Sequence, residues 1–577
     1  MAGAERDRLI RVDMSKQTVS IEPFPEEWKS LGGRALSAKI LVSECDPTCD
    51  PLGPDNLLVM APGLLAGTSA PTSGRISFGG KSPLTGGIKE TNSGGNPGQH
   101  LMKLGYRAVI VTGKPADPEK RYALEVTAKG VEIVDADDTK GLWNYPLCEK
   151  LRERYPKTAS FISIGPAGEA QLTGASIATT DQDHRYPNRH AGRGGMGAVM
   201  GSKGLKYVAV NPGKARMRQA SDARGFTAFS KKVAQEYLDG AKMFQGGTSS
   251  FVGIANALNC FPHKNRTEGQ SPDVEGLEGQ RIMESFPKRG GRMHNCLTGC
   301  VVKCSNVVHD ADGNYKTSGL EFETLTLFGS NLALKSWEDV AEMDRLCDDI
   351  GLDTIETGAA VGILMDSGGL EWGDVEGVKR VVREIAEGTE LGRALGNGAA
   401  ATGKMRGHHR VPVVKGQALP AWDPRPLKAT GITYATSPMG ADHTAGLIIN
   451  PGLQPEDFAR ASQESQLANA VCDSSGFCQF LQPNMDLIRD AMGLFLGEEI
   501  SREQIADLGW QCLQDEWDFN GRAGFDVADD DLPACLREEG VGPDHSIKFD
   551  VSTDVIAQAR VRFPLRDEFF VEVRAGG

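Results

Sequence analysis

The densest group of thiols in this chain is Cys296, Cys300 and Cys304, a C-x3-C-x3-C run at the end of the segment Arg292–Cys304. Thiolates this close suit an iron–sulfur cluster, whose metal atoms lie near one another. The plain alternative is a helix with a cysteine stripe, because spacings of three and four share one helical face. A [4Fe–4S] cluster needs a fourth ligand, and Cys472, Cys478 and Cys347 are the candidates. Four thiolates would also suit zinc, so spacing alone does not choose iron. The chain has 577 residues and twelve cysteines, and its start, MAGAERDRLIRVD, turns charged at once. With no secretory pattern, that many cysteines favour metal or redox use over a disulfide framework.

A second signal occurs twice. Asp348-Asp349-Ile350-Gly351-Leu352-Asp353 and Asp473-Ser474-Ser475-Gly476-Phe477-Cys478 share the frame D-x-x-G-apolar-D/C. Each follows a helical stretch and sets glycine where a helix stops. One such stop is ordinary. Two, the second ending in a spare cysteine, suggest two grips on a flat heterocycle rich in N–H donors and ring acceptors, as a pterin is. Glycine makes up 70 of the 577 residues, about 12% against a usual share of roughly 7%. The densest runs are Thr72–Ile76, which holds Arg75, then Asn92–Gly98 and Arg189–Gly197. Successive glycines let backbone N–H groups converge on phosphate, and arginine adds a bidentate partner. Asn92, or a freed carbonyl near His190, would suit Mg²⁺ between two phosphates. The bland reading is that these glycines only turn strands. Gly192–Gly197 also matches G-x-G-x-x-G, but Asp181–Asn188 precedes it where a buried strand should stand, so a dinucleotide fold is rejected.

The elements that must position these residues are legible in outline. The first two hundred residues are β-rich, with short apolar runs at Leu9–Asp13, Leu57–Met60 and Ala108–Val111 and a hairpin at Tyr122–Val134 turning near Lys129-Gly130. A last strand, Tyr207–Val210, ends at Asn211-Pro212-Gly213, a domain boundary. Beyond it the pattern becomes helical. Ser336–Ile350 puts Trp337, Val340, Met343, Leu346 and Ile350 on one face, with Ser336 as N-cap and Gly351 at C′. Asp353 caps the next helix, with Glu356 as its capping-box partner. The Pro-rich stretch Val411–Pro426 is the second boundary. The most apolar stretch, Leu57–Ala66, is far shorter than the roughly 20 residues of a membrane span, and no tandem repeat is visible. A formal charge of −14 argues against nucleic acid, whose phosphates would repel it. A soluble, cytoplasmic protein is expected.

Together these features resemble the aldehyde:ferredoxin oxidoreductase family along essentially the whole chain. The specific matches are Gly32-Gly33-Arg34, Lys81-Ser82-Pro83-Leu84-Thr85-Gly86, Asn92-Ser93-Gly94-Gly95 and the run Ala191–Lys203, besides the paired D-x-x-G motifs. The resemblance implies an α+β fold: an N-terminal two-layer β-rich domain (1–212) as the cofactor base, then two mainly α-helical domains (213–415 and 416–577). It implies a tungsten (or molybdenum) bis-pterin whose metal is held by dithiolene sulfurs, Mg²⁺ bridging the pterin phosphates, and one [4Fe–4S] cluster. It places Asp348, Leu352 and Asp353 on one pterin and Asp473, Phe477 and Cys478 on the other. Arg75, Asn92, Gly94, Arg189, His190, Gly192 and Arg193 fall at the phosphates and magnesium, and Cys296, Cys300, Cys304 and Cys478 at the cluster. The first gap is x3 where the family has x2, and Phe477 replaces a usual leucine. No counterpart of the iron-bridging motif at some family dimer interfaces is found.

The same resemblance implies a glutamate and a histidine near the metal. Glu321 and Glu323 compete for the first role, Glu321 slightly preferred, and His443 takes the second. The reaction implied is oxidation of an aldehyde to a carboxylic acid, with electrons leaving singly through the cluster to ferredoxin or a small ferredoxin-like subunit, in a homo- or hetero-oligomer. The rivals are an aromatic acyl-CoA reductase-type subunit and a cluster-bearing electron-transfer subunit without tungsten.

Overall fold

The computed structural model describes residues 7–240 and 243–572, with strands dominating as far as Asn211 and helices beyond it. The α+β class expected from the sequence is therefore what the chain forms. The first sheet contains β1 (Arg8–Asp13), β2 (Thr18–Pro23), β3 (Leu58–Pro62), β4 (Ile76–Lys81), β5 (Ile88–Ser93) and β6 (Tyr106–Thr112). The second contains β7 (Tyr122–Thr127), β8 (Gly130–Asp135), β9 (Ser160–Ser163), β10 (Ile177–Thr179), β11 (Arg189–Ala191) and β12 (Leu205–Asn211). Their orders are β2-β1-β6-β3-β4-β5 and, read from the far end, β8-β7-β12-β9-β10-β11. The two are one topology used twice. In each, a hairpin opens the sheet, its first strand pairs parallel with the last, and every other pairing is antiparallel.

No repeat shows in the sequence because sheet pairing asks only for alternation and burial, which unrelated residues satisfy equally well. The inner faces pack on each other: Ile10, Val12, Met60, Phe78 and Val109 of the first sheet share one apolar core with Leu124, Val126, Ile162, Ile177 and Val208 of the second. The expected hairpin is present, with Thr127 opposite Gly130 across a turn at Ala128-Lys129.

The helix Trp337–Ile350 begins at Ser336, whose hydroxyl accepts from the Glu338 N–H, and ends at Gly351 with φ +82°. Asp353 then caps Thr354–Asp366 by accepting from the Ile355 N–H. Glu356 departs from expectation. It is fully buried and its carboxylate accepts from the N–H groups of Ala399 (2.8 Å) and Ala418 (2.9 Å), not from its own N-cap. Those amides are satisfied in the core by this carboxylate. The three clustered cysteines do not form a helical stripe. Residues 295–304 are turn and bend between two strands, with Gly299 (φ +83°) and Lys303 (φ +55°) in left-handed conformation. A three-residue strand, β11, does precede Gly192–Gly197, but it pairs antiparallel at the sheet edge and so makes no βαβ unit. Among the described residues, no helix is long and apolar enough to cross a membrane.

Candidate active site

Each D-x-x-G turn docks on one of the two sheets. At the first, the Ser176 N–H donates to Gly351 O (2.9 Å) and the Asp353 N–H to Gly174 O (3.0 Å). At the second, the helix Phe458–Ser475 stops at Gly476 with φ +88°; the Arg75 N–H donates to Gly476 O (3.3 Å) and the Cys478 N–H to Thr72 O (2.9 Å). A glycine on the sheet side admits each turn. A Cβ at Gly165 would stand 2.2 Å from Ile350 O, and one at Gly63 would stand 2.1 Å from the Gly476 Cα. Both helix ends thus face the same space between the sheets and the helical part.

That space is a cavity of about 360 Å³. Its base is Arg75, Asn92, Gly94, Arg189, His190, Gly192 and Arg193; the two turns add Asp348, Leu352, Asp353, Asp473 and Cys478. Cys296, Cys304, Glu321, Glu323 and His443 also line it. Two of the residues expected at the site do not. Phe477 is fully buried in the apolar core behind its turn, and Cys300 lies in the same core beneath the cavity wall. Of the three candidates for a fourth thiol, Cys478 alone among the described residues faces the cavity; Cys472 and Cys347 sit in separate apolar cores. A Cβ at Gly94 would come 2.9 Å from the Cys296 Sγ, so glycine there lets the thiol approach the sheet edge.

The electrostatics are those of a buried, polar site. The Asp348 Oδ1 lies 3.1 Å from His190 Nε2, while its buried Oδ2 has no hydrogen-bond partner. Asp473 accepts from Asn92 Nδ2 at 3.2 Å, and burial together with Glu90 holds its carboxyl well above the usual range. Burial and Asp348 do the same to Asp344. Three enclosed guanidiniums face these groups. Burial opposes the charge on Arg75, but Cys478, Cys296 and Asp473 outweigh it; around Arg193, Asp442, Asp353 and Glu356 do so. A Cβ at Gly192 would meet only Asp353 Oδ1, at 3.7 Å, so its absence leaves room for a ligand rather than for protein. Buried cations for phosphate, an unpaired carboxylate for heterocycle N–H groups, and open glycine backbone fit a pterin phosphate. Among the described residues, no three His, Cys, Asp or Glu side chains converge on a single metal-ion position.

The two glutamates differ sharply. Glu321 accepts from the Thr248 hydroxyl at 2.5 Å and weakly from its N–H. Glu323 uses Oε2 to accept from the Ala421 N–H (2.6 Å), while its buried Oε1 has no partner and lies 3.8 Å from His443 Nε2. The His443 Nδ1 is likewise unpartnered, 3.8 Å from Asp442 Oδ1. Burial would raise the Asp442 carboxyl, but Lys89, paired with it at 2.6 Å, and Arg193 hold it well below the usual range. Sequence reasoning passed over Lys89 and Asp442. The signal was in β5, whose Ile88-Lys89-Glu90-Thr91-Asn92-Ser93 is polar yet almost wholly buried, a combination that only a polar interior accommodates. It also missed the aromatic roof, in which Phe322 and Trp422 (ring centroids 4.7 Å apart), Phe251, Phe244 and Phe480 follow one another along the cavity.

Comparison with known proteins gives consistent results. The family described as aldehyde ferredoxin oxidoreductase, N-terminal domain, matches residues 9–212, and that described as aldehyde ferredoxin oxidoreductase, domains 2 and 3, matches residues 227–559. The chain is 32% identical over 571 residues to the tungsten-containing aldehyde ferredoxin oxidoreductase of Pyrococcus furiosus, covering 92% of this chain and 91% of that protein. It is 32% identical over 570 residues to the protein of the same name from Thermococcus kodakarensis, with the same coverage. An aliphatic sulfonate oxidoreductase, WOR-like subunit, of Pyrococcus furiosus is 27% identical over 545 residues, covering 87% of this chain and 83% of that one. Among solved structures, the active-site complex BamBC of benzoyl coenzyme A reductase with 1,5-dienoyl-CoA superposes with a TM-score of 0.82 over 97% of this chain and 94% of that one; at 18% identity this speaks for the fold alone.

Proposed function

The chain belongs to the aldehyde ferredoxin oxidoreductase family and is an oxidoreductase of that family, and on that premise we propose that it oxidises aldehydes to carboxylic acids. The full proposal is a tungsten (or molybdenum) bis-pterin with one [4Fe–4S] cluster, passing electrons to ferredoxin or a small ferredoxin-like subunit. The observation that carries it is the pair of D-x-x-G turns, docked alike on two sheets of one topology and opening on a single cavity with three cysteines in its wall.

The residues then divide by task. Arg75, Arg189 and Arg193 bind the pterin phosphates, with Asn92 and the carbonyl region of His190 at their magnesium. Asp348, Leu352 and Asp353 hold one pterin; Asp473 and Cys478 hold the other, while Phe477 supports its turn from the core. Cys296, Cys300, Cys304 and Cys478 hold the cluster. The metal–pterin group, when bound, supplies the two-electron redox chemistry.

The protein's own contribution is to protons and placement. The balance is RCHO + H₂O → RCOOH + 2H⁺ + 2e⁻. The Nε2–H of His443 donates to the aldehyde oxygen and steadies the charge that gathers there. Glu323 accepts the proton of the attacking water at Oε1, the oxygen without a donor. Each glutamate is held at Oε2, and it is Glu323 whose free Oε1 lies beside His443, so this reading takes Glu323 where the sequence slightly preferred Glu321. The aromatic roof covers the aldehyde's carbon body and excludes water around it. An anaerobic, dye-coupled assay with a series of aldehydes tests the reading. Acid formation with two electrons per turnover is expected; inertness toward every aldehyde, together with reduction of an aromatic acyl-CoA, would reassign the reaction.

A further inference from the structure

Tyr237 is placed oddly for a tyrosine. The helix Ala223–Asp239 buries Phe226, Ser230 and Val233, and Tyr237 continues that face by one more turn. Its ring packs against the apolar core that contains Leu297 and Cys300 and against which Cys296 and Cys304 also pack. Its hydroxyl oxygen is buried, yet among the described residues it has no hydrogen-bond partner. Burial first, and then Cys304, Cys300 and Cys478, push the pKa of that hydroxyl up to about 12. A buried hydroxyl left unpaired is costly, and such groups are rare enough in folded proteins to call for a partner. A phenol with an ordinary pKa near 10 is neutral at neutral pH and donates its proton.

We propose that the Tyr237 hydroxyl donates a hydrogen bond to a sulfur of the cluster held by Cys296, Cys300, Cys304 and Cys478, and so raises the potential at which that cluster accepts an electron. This rests on the cluster reading given above. Among the described residues no thiol accepts from the hydroxyl, and the acceptor in this proposal is a cluster sulfur lying among the four cysteines. A hydrogen bond to cluster sulfur stabilises the reduced, more negative state, which is how surrounding donors tune such clusters. In the proposed reaction this makes the cluster easier to reduce and favours electron export from the cavity. Tyr237 is then a positioning residue for electrons, with no part in proton transfer.

The test is an EPR-monitored redox titration of anaerobically purified wild type, Tyr237→Phe and Tyr237→His. Tyr237→Phe keeps the ring and removes only the donor. Its iron content should equal that of wild type, while the cluster midpoint moves to more negative potential; Tyr237→His, which restores a donor, should move it part of the way back. Exchange into D₂O should shift the Fe–S stretching bands of wild type by a component missing from Tyr237→Phe. An unchanged midpoint in an iron-replete Tyr237→Phe overturns the inference alone. Loss of iron from both variants also overturns it, since a tuning role predicts retention. Wild type without iron would overturn it together with the cluster reading, and wild-type iron content distinguishes the two failures.

Discussion

Glu323 has one carboxylate oxygen fixed by the Ala421 amide and one with no donor, facing His443. Glu323→Gln should therefore slow aldehyde oxidation by about 10²–10⁴-fold, the usual worth of a general base, with tungsten or molybdenum and iron contents unchanged. His443→Asn should lower the rate in the same way. Glu321→Gln should be the milder change, because the carboxylate beside His443 is that of Glu323; the opposite ranking would return the role to Glu321. Cysteines divide similarly. Cys478→Ser should strip iron and disturb the second pterin grip, whereas Cys472→Ser, buried in apolar core, should spare the iron; iron loss from Cys472→Ser alone would break the ligand assignment. At this scale the sequence showed which residue types were available but not which of two near neighbours faced the cavity. Glu321 and Glu323 are distinguished by Thr248 and Ala421, contacts 73 and 98 residues distant, which no local pattern encodes.

Among the elements, the helix stops at Gly351 and Gly476 were readable because capping is local: a left-handed residue and the turn before it suffice. What each stop packs against was not. Gly63→Ala would push a Cβ to 2.1 Å from the Gly476 Cα, and neither backbone can yield. Thermal or denaturant unfolding should show a loss of about 1–3 kcal/mol, with less bound pterin. Gly521→Ala, in an exposed helical turn with nothing within 4 Å, should instead stabilise by about 0.5–1 kcal/mol. Equal effects would mean that the close approach of Gly63 to the second turn is unimportant. Glu356 illustrates the other limit. Sequence spacing suggests a capping box, but its partners Ala399 and Ala418 come from 43 and 62 residues away. Burial pushes its pKa from 4.5 up to about 7 in spite of Arg193. Between those values the folded protein holds a proton that the unfolded chain has lost, so stability should fall as pH rises through the window. At about 1.4 kcal/mol per unit this amounts to about 3.5 kcal/mol. Unfolding free energies measured from pH 4.5 to 7 should lose that slope in Glu356→Gln; an unchanged slope would show that another group titrates there.

For the whole molecule, the two sheets of one topology explain why a single chain offers two similar grips. Each sheet receives one helix end, and the cavity lies where both open. The α+β class was legible from the change of periodicity near residue 212, whereas the repeat was hidden, because strand order is set by pairings that composition and turns do not specify. The residues proposed for the cofactor are marked in the sequence more clearly than those proposed for the substrate. Glycine, arginine and aspartate at a phosphate and heterocycle site are chemically constrained, while an apolar roof of Phe244, Phe251, Phe322, Trp422 and Phe480 looks in sequence like any other core. The central claim is that this chain assembles one metal–pterin site beside one iron–sulfur cluster. Its most direct test is elemental and pterin analysis of anaerobically purified protein. The account predicts about four irons and one tungsten or molybdenum per chain, with two pterins. Zinc in place of iron, or iron with neither tungsten nor molybdenum, would contradict it.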